Sequence, residues 1–176
     1  MFTLPDTIIV PREFFKGTWN AKYWKNTPGP FYSTTENLMS LLALNEDPHH
    51  LLYDEHCEFI WRQPITSEDF SRCISAMSRD EVSSYQIDGN DHWTSDSVRD
   101  WWQRRGELVD WCNQHLSRPV RDQTRFLHGD PNSTAPDLVL AYLRYLDGGI
   151  SNYLRQYLFW LENQRLPNQG ESVPDL

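Results

Sequence analysis

The stretch "DPHHLLYDEHCEF" (residues 47–59) concentrates side chains that can do chemistry, with three histidines, one cysteine and four carboxylates in thirteen positions. A metal site in this stretch would draw on His49, His50, His56 and Cys57. Zinc ligands usually form a pair two to four residues apart, followed by a second pair well downstream. Adjacent residues of a strand also point to opposite faces. This spacing therefore predicts no metal site, and no cofactor is expected.

The same stretch is predicted to form a β-hairpin from "LLY" (51–53) and "CEFIWR" (57–62), joined by an acidic turn that faces solvent. On the second strand, Cys57, Phe59 and Trp61 share one face, because side chains alternate along a strand. A thiol beside two aromatic rings is typical of an inert core cysteine, whereas a nucleophile needs a neighbouring base. The hairpin is thus interpreted as a surface, without a reagent of its own.

A second acidic segment, "DGNDHWT" (88–94), superficially resembles a calcium loop. The calcium loop requires glycine at its sixth position, and here glycine is second, so a turn before a helix is the better interpretation. No phosphate-binding glycine loop, G-x-S-x-G or H-E-x-x-H motif is present. Whether the protein is an enzyme stays open. A hydrolase remains an alternative, and it would require a concave pocket in which some of Asp88, Asp91, His92, His128 and Asp130 converge.

The charge distribution favours a protein partner over nucleic acid. Residues 36–100 contain fourteen acidic residues and four arginines, a net charge of −10 in a chain whose total is −9. Such a field repels nucleic acid and attracts basic protein surfaces. With Tyr53 and Trp93 as aromatic anchors, the predicted partner-binding residues are Glu46, Asp47, Asp54, Glu55, Glu58, Asp88 and Asp91.

Local patterns predict an α+β fold, in which an N-terminal antiparallel β-sheet is packed by about four C-terminal helices. Thr66 and Asp69 form a predicted capping pair, and Thr94 or Ser95 opens the longest helix, which ends near Leu116. Two further helices are expected at 137–146, stopped by Asp147-Gly148-Gly149, and at 151–164. Residues 1–166 are predicted to form one domain, followed by a flexible tail at 167–176.

Two residues of the longest helix break its pattern. Arg105 falls within the apolar stripe, so it is expected to stack on a tryptophan, pair with a carboxylate or extend to solvent. Trp111 projects away from that stripe and is expected to pack on another element or to lie exposed as a binding anchor. The polar segment 118–136 is predicted to be a loop, and it is the next suspect for function after the acidic region.

Compartment and assembly follow from what the sequence lacks. Three widely spaced cysteines fit reduced thiols better than a disulfide framework. No apolar segment is long enough to cross a bilayer, and no signal peptide is recognised. The expectation is a cytoplasmic protein that is unattached to membranes and monomeric when free.

Three segments, "KYWKNTPGPFY" (22–32), "EFIWRQP" (58–64) and "DGNDHWT" (88–94), resemble small cytosolic bacterial immunity proteins encoded in polymorphic-toxin loci. The resemblance covers about the first hundred residues. It implies a protein that binds and neutralises one cognate toxin, and it transfers no catalytic residues. An acidic surface suits this role, since nuclease active sites are basic. A structural or adaptor protein with a self-complementary patch, involving Trp111 and Trp160, is the remaining alternative.

Overall fold

The computed structural model describes residues 2, 18–36, 42–79, 84–118 and 135–176. The predicted loop is described only at its two ends. His128 and Asp130 of the alternative hydrolase pocket lie outside these ranges. So does the sequence "TIIV" (7–10), a short run rich in β-branched residues.

The strands form two separate antiparallel pairs. The hairpin pairs β2 (Leu51–Tyr53) with β3 (Glu58–Ile60), and β1 (Tyr32–Ser33) pairs with β4 (Tyr85–Gln86). The α+β class is confirmed, but the single N-terminal sheet is replaced by these two ribbons.

The buried side chain of Asn26 connects the two strand pairs through hydrogen bonds to their backbone. Asn26 Oδ1 accepts hydrogen bonds from the amides of Ile60, at 2.9 Å, and Ser33, at 3.1 Å. Its amide nitrogen donates to the carbonyl oxygens of Tyr23 and Ser33. Buried amides and carbonyls need partners, and Asn26 supplies them at the point where β1 and β3 lie side by side.

The helices of the described residues are α1 (Leu42–Glu46), α2 (Ser67–Met77), α3 (Ser95–Gln103), α4 (Arg105–Leu116), α5 (Ala135–Arg144) and α6 (Ile150–Asn163). Both predicted N-caps are confirmed. Thr66 forms a capping box with Asp69, and Thr94 forms one with Ser97. Each box satisfies amides that the first turn of a helix leaves free.

Two helix boundaries differ from expectation. The long helix is divided at Arg104 into α3 and α4, although Arg104 keeps right-handed helical dihedral angles. The predicted stop at Asp147-Gly148-Gly149 is wrong, because a π-helical turn, Tyr145–Gly149, carries α5 directly into α6. A Cβ at Gly149 would lie 2.7 Å from the Tyr145 ring, so the glycine makes room for that ring and the helix continues.

The hairpin lies between two apolar cores. Leu52, Phe59 and Trp61 enter the larger core, which is built mainly from α3 to α6. Leu51 and Ile60 enter a smaller core with α2. This confirms the predicted alternation on β3. It also makes the expectation of a solvated hairpin wrong, since both faces are covered.

The C-terminal tail contacts the helices. Arg155 of α6 donates from Nε to the carbonyl of Pro174 at 2.9 Å, and Arg99 of α3 donates to that of Asp175 at 3.2 Å. Leu176 packs against the larger core. The predicted flexibility of the tail and the single-domain boundary stay predictions. No helix in the described ranges is long and apolar enough to cross a membrane.

Candidate functional site

Asp54 was predicted to be an exposed partner contact, but it is buried and forms hydrogen bonds that hold the hairpin turn in place. It is 5% exposed, and its carboxylate accepts hydrogen bonds from the Tyr23 hydroxyl and from Lys25 Nζ, the latter at 2.5 Å. The amides of His56 and Cys57 donate to its other oxygen, at 3.1 and 3.0 Å. Burial alone would raise the pKa of Asp54, but the hydrogen bonds from Lys25, Tyr23 and Cys57 lower it.

The partner of Asp54, Lys25, is enclosed by aromatic rings. Its ammonium lies 4.6 Å from the ring centroid of Trp111 and 5.7 Å from that of Trp24. Trp111 also meets Phe59 of β3 edge to face, at 5.8 Å between centroids. Trp111 therefore packs on another element, which is one of the two outcomes that the sequence predicted for it.

Glu58 and Asp47 are buried as well. Glu58 is 1% exposed and accepts a hydrogen bond from the Tyr85 hydroxyl. Asp47 is 0% exposed, and its two oxygens lie 3.0 and 2.8 Å from His50 Nδ1. The expectation that Asp47, Asp54 and Glu58 are exposed is wrong, because Asp54 and Glu58 belong to a hairpin covered on both faces and Asp47 lies in the buried turn before it.

The predicted aromatic anchors are also buried, with Tyr53 8% and Trp93 6% exposed. Trp93 packs edge to face on Trp19, and Lys22 Nζ lies 4.5 Å from its ring centroid. Burial, together with the nearby charge of Arg104, lowers the pKa of Lys22 to about 8. Trp93 thus belongs to an enclosed aromatic and cationic cluster, and its predicted role as an exposed anchor is wrong.

Four of the predicted acidic contacts retain solvent exposure. Glu46 is exposed, but it forms an ion pair with Arg79, whose Nε lies 2.8 Å from the Glu46 carboxylate. Glu55 is half-buried, at a positive φ of 76°, and pairs with Arg118. Asp88 and Asp91 belong to the turn that precedes α3, and Asp91 is exposed.

A more continuous acidic surface lies on the outer face of α3 and α4. We call it the acidic stripe, and it consists of Asp96, Asp100, Glu107 and Asp110, all of which are exposed. An interval of four residues places Asp96 and Asp100 on one side of α3, and an interval of three places Glu107 and Asp110 on one side of α4. Arg104, with φ −81° and ψ −1°, separates the two helices.

The internal contacts of the acidic stripe centre on Arg104, whose pKa is raised by Glu107 and by the charge of Asp100. Within the described ranges, Asp96, Asp100 and Asp110 make no side-chain ion pair. Glu107 pairs with Arg104 at 3.0 Å. This surface was not among the predicted partner contacts, although helical spacing within the predicted 94–116 helix is a signal that indicates it.

Arg105 lies on the opposite side of α4 from the stripe. Its guanidinium lies 4.0 Å from the ring centroid of Trp102, so it stacks on a tryptophan as one of the predicted alternatives required. The adjacent Arg104 stacks on Trp24 at 4.4 Å. Both arginines therefore cover partly buried indoles rather than forming a separate basic site.

The three thiols are poorly suited to nucleophilic catalysis. Cys57, Cys73 and Cys112 are free and buried. Burial raises the pKa of each, and that of Cys112 to about 12. A thiolate nucleophile needs the opposite shift.

The alternative hydrolase pocket is only partly described. His92 Nε2 lies 3.1 Å from the Asp88 carboxylate, and the His92 ring stacks on Trp19 at 4.9 Å. His128 and Asp130 lie outside the described residues. For the adaptor alternative, Trp160 is 9% exposed and packs in the larger core, so it is no surface anchor.

Comparison with protein-family models, with curated proteins and with solved structures finds no match to this chain. The resemblance to immunity proteins therefore stays a prediction.

Proposed function

We propose that this protein binds another protein through the acidic stripe, and that it acts as an immunity-type inhibitor of a cognate toxin with a basic surface. The observation that carries the proposal is the line of exposed carboxylates on α3 and α4. It replaces the hairpin acids, which are buried and bonded internally.

The proposal is supported by the difference between the buried hairpin acids and the exposed acids of the stripe in the free energy that a partner needs to reach them. A partner could engage Asp54 only by breaking its contacts with Lys25 and Tyr23, and this would leave a buried cation without its counter-charge. Asp100 and Asp110 face solvent, so a basic partner can approach them without rearranging the core. Complementary charge of this kind raises association rates and is weakened by salt.

An interface also needs apolar contacts, because charge alone gives mainly steering. Trp111 is partly exposed and follows Asp110 directly on α4. Its ring contacts Phe59 and Lys25, which restrict its orientation while part of the residue stays exposed. We assign it as the aromatic contact of the proposed interface.

A protection assay tests the function. Toxin-like reading frames encoded next to the gene for this protein are induced in a bacterial test strain, with or without this protein. We expect wild-type protein to restore growth against one of them. If none is relieved, the proposal of an immunity function is wrong.

A matched pair of variants tests the surface. Asp100→Lys with Asp110→Lys should abolish protection, whereas the control Glu36→Lys with Asp147→Lys changes the net charge equally and should protect as the wild type does. Both control positions are exposed and lie away from the stripe in sequence. Full protection by the stripe variant would show that the partner binds elsewhere.

A further inference from the structure

Three residues that the proposed function does not use meet beneath the hairpin. The carboxylate of Asp47, Nδ1 of His50 and Sγ of Cys73 all lie within 4.8 Å of one another, and all three residues are buried. The thiol donates to the carboxylate at 3.2 Å, and the imidazole lies 2.8 Å from the same oxygen. We call this group the buried triad.

Local structure explains how the triad forms. In the turn between α1 and β2, the amides of His50 and Leu51 both donate to the carbonyl of Asp47, at 3.3 and 3.1 Å. This turn brings two side chains that are three residues apart onto the same side. Cys73 arrives from α2, whose Phe70 and Met77 lie with it in the smaller core. Asp47 and His50 have the close spacing of a zinc-ligand pair, and Cys73 supplies a further ligand from elsewhere in the chain.

The charges of the triad point to a cation. Within the described ranges, no lysine or arginine pairs with Asp47. A dication bound to the carboxylate, a thiolate and a neutral imidazole would have a total charge of zero, so metal binding would bury no net charge.

We propose that Asp47, His50 and Cys73 bind a divalent cation of the zinc class. Thiolate and imidazole favour zinc and its neighbours over magnesium or calcium. The inference is independent of the proposed function, and it runs against the expectation of no metal. That expectation concerned His49, His50, His56 and Cys57, and of these only His50 belongs to the triad.

The test uses the full-length protein after treatment with a chelator. Titration with Co²⁺ should give a thiolate-to-metal charge-transfer band that saturates at one metal per chain and disappears when Zn²⁺ is added. Binding should strengthen as the pH rises, because protons are released. Saturation without a charge-transfer band, or no binding at all, would overturn the proposal and leave a hydrogen-bonded triad only.

Substitutions provide matched controls. Cys73→Ser and His50→Gln should lose the band, whereas Cys112→Ser and His49→Gln should keep it. Retention of the band in Cys73→Ser would contradict the assignment.

A measurement on the wild type keeps the proposal testable if Cys73→Ser does not fold. X-ray absorption of the zinc-loaded protein should show one sulfur ligand at about 2.3 Å. A zinc shell without sulfur would overturn the proposal.

Discussion

The hairpin and the outer face of α3 and α4 carry the same kind of side chain in opposite environments. Asp54 and Glu58 of the hairpin are buried and accept hydrogen bonds from Tyr23, Lys25 and Tyr85. The carboxylates of the acidic stripe face solvent. The contrast shows that a dense run of acids in a sequence is not necessarily an acidic surface.

The cause of the difference is the position of each element. A strand between two cores has no solvent side, so each polar group on it must find an internal partner. A helix on the outside of the fold buries only one stripe and leaves the opposite face free. The comparison predicts large losses of stability in the hairpin and small ones on the stripe.

The largest expected effect comes from Asp54→Asn. The substitution leaves the buried ammonium of Lys25 without its counter-charge, and loss of one partner of a buried ion pair costs about 3–5 kcal/mol. Urea unfolding measures the free energy of unfolding. Asp100→Asn is the control and should stay within about 0.5 kcal/mol of the wild type. Similar losses at both positions would remove the distinction between the two regions.

The same carboxylate predicts a pH dependence. The pKa of Asp54 is lower in the folded state than in the unfolded chain, so its contribution to stability is present above the unfolded value of about 3.9. The contribution is lost as the pH falls through the folded pKa. Unfolding measured between about pH 5 and pH 2 should show the wild type losing stability more steeply than Asp54→Asn. Parallel curves would show that Asp54 is not the titrating group.

A smaller loss is expected for Tyr85→Phe, which removes the hydroxyl that donates to Glu58. Hydrogen bonds to charged groups contribute about 1.5–3 kcal/mol. Tyr142→Phe is a matched control, because the Tyr142 hydroxyl is buried and has no hydrogen-bond partner within the described part of the chain. Its removal should cost nothing or stabilise the fold slightly. Equal losses in both variants would mean that ring packing, rather than the bond to Glu58, is being measured.

Local signals predicted local structure correctly. The capping boxes at Thr66 and Thr94 require only side chains that lie three residues apart, and the alternation along β3 requires only a strand. The acidic stripe could have been predicted in the same way, from the helical spacing of positions 96, 100, 107 and 110.

Burial of the hairpin acids could not be predicted from the residues that neighbour them in the sequence. The partners of Asp54 are 29 and 31 residues away in the sequence, and the donor to Glu58 is 27 residues away. The buried triad likewise depends on Cys73, 26 residues from Asp47. Only the packing of α2 and of α3 to α6 on either side of the hairpin decides these contacts, and no spacing rule encodes that packing.

The smallest expected effects lie within the acidic stripe and depend on position along the helix. Asp96 is in the first turn of α3, where a negative charge interacts favourably with the helix dipole. Asp96→Asn should therefore cost about 0.3–1 kcal/mol at low ionic strength, and the loss should shrink as salt is added. Asp110 lies in the middle of α4, far from either terminus, so Asp110→Asn should leave the free energy of unfolding unchanged at any salt concentration. Thermal unfolding at low and high salt distinguishes the two variants. A salt-sensitive loss for Asp110→Asn would mean that this carboxylate has an internal partner, and that it is less available to a basic protein than the proposed interface requires.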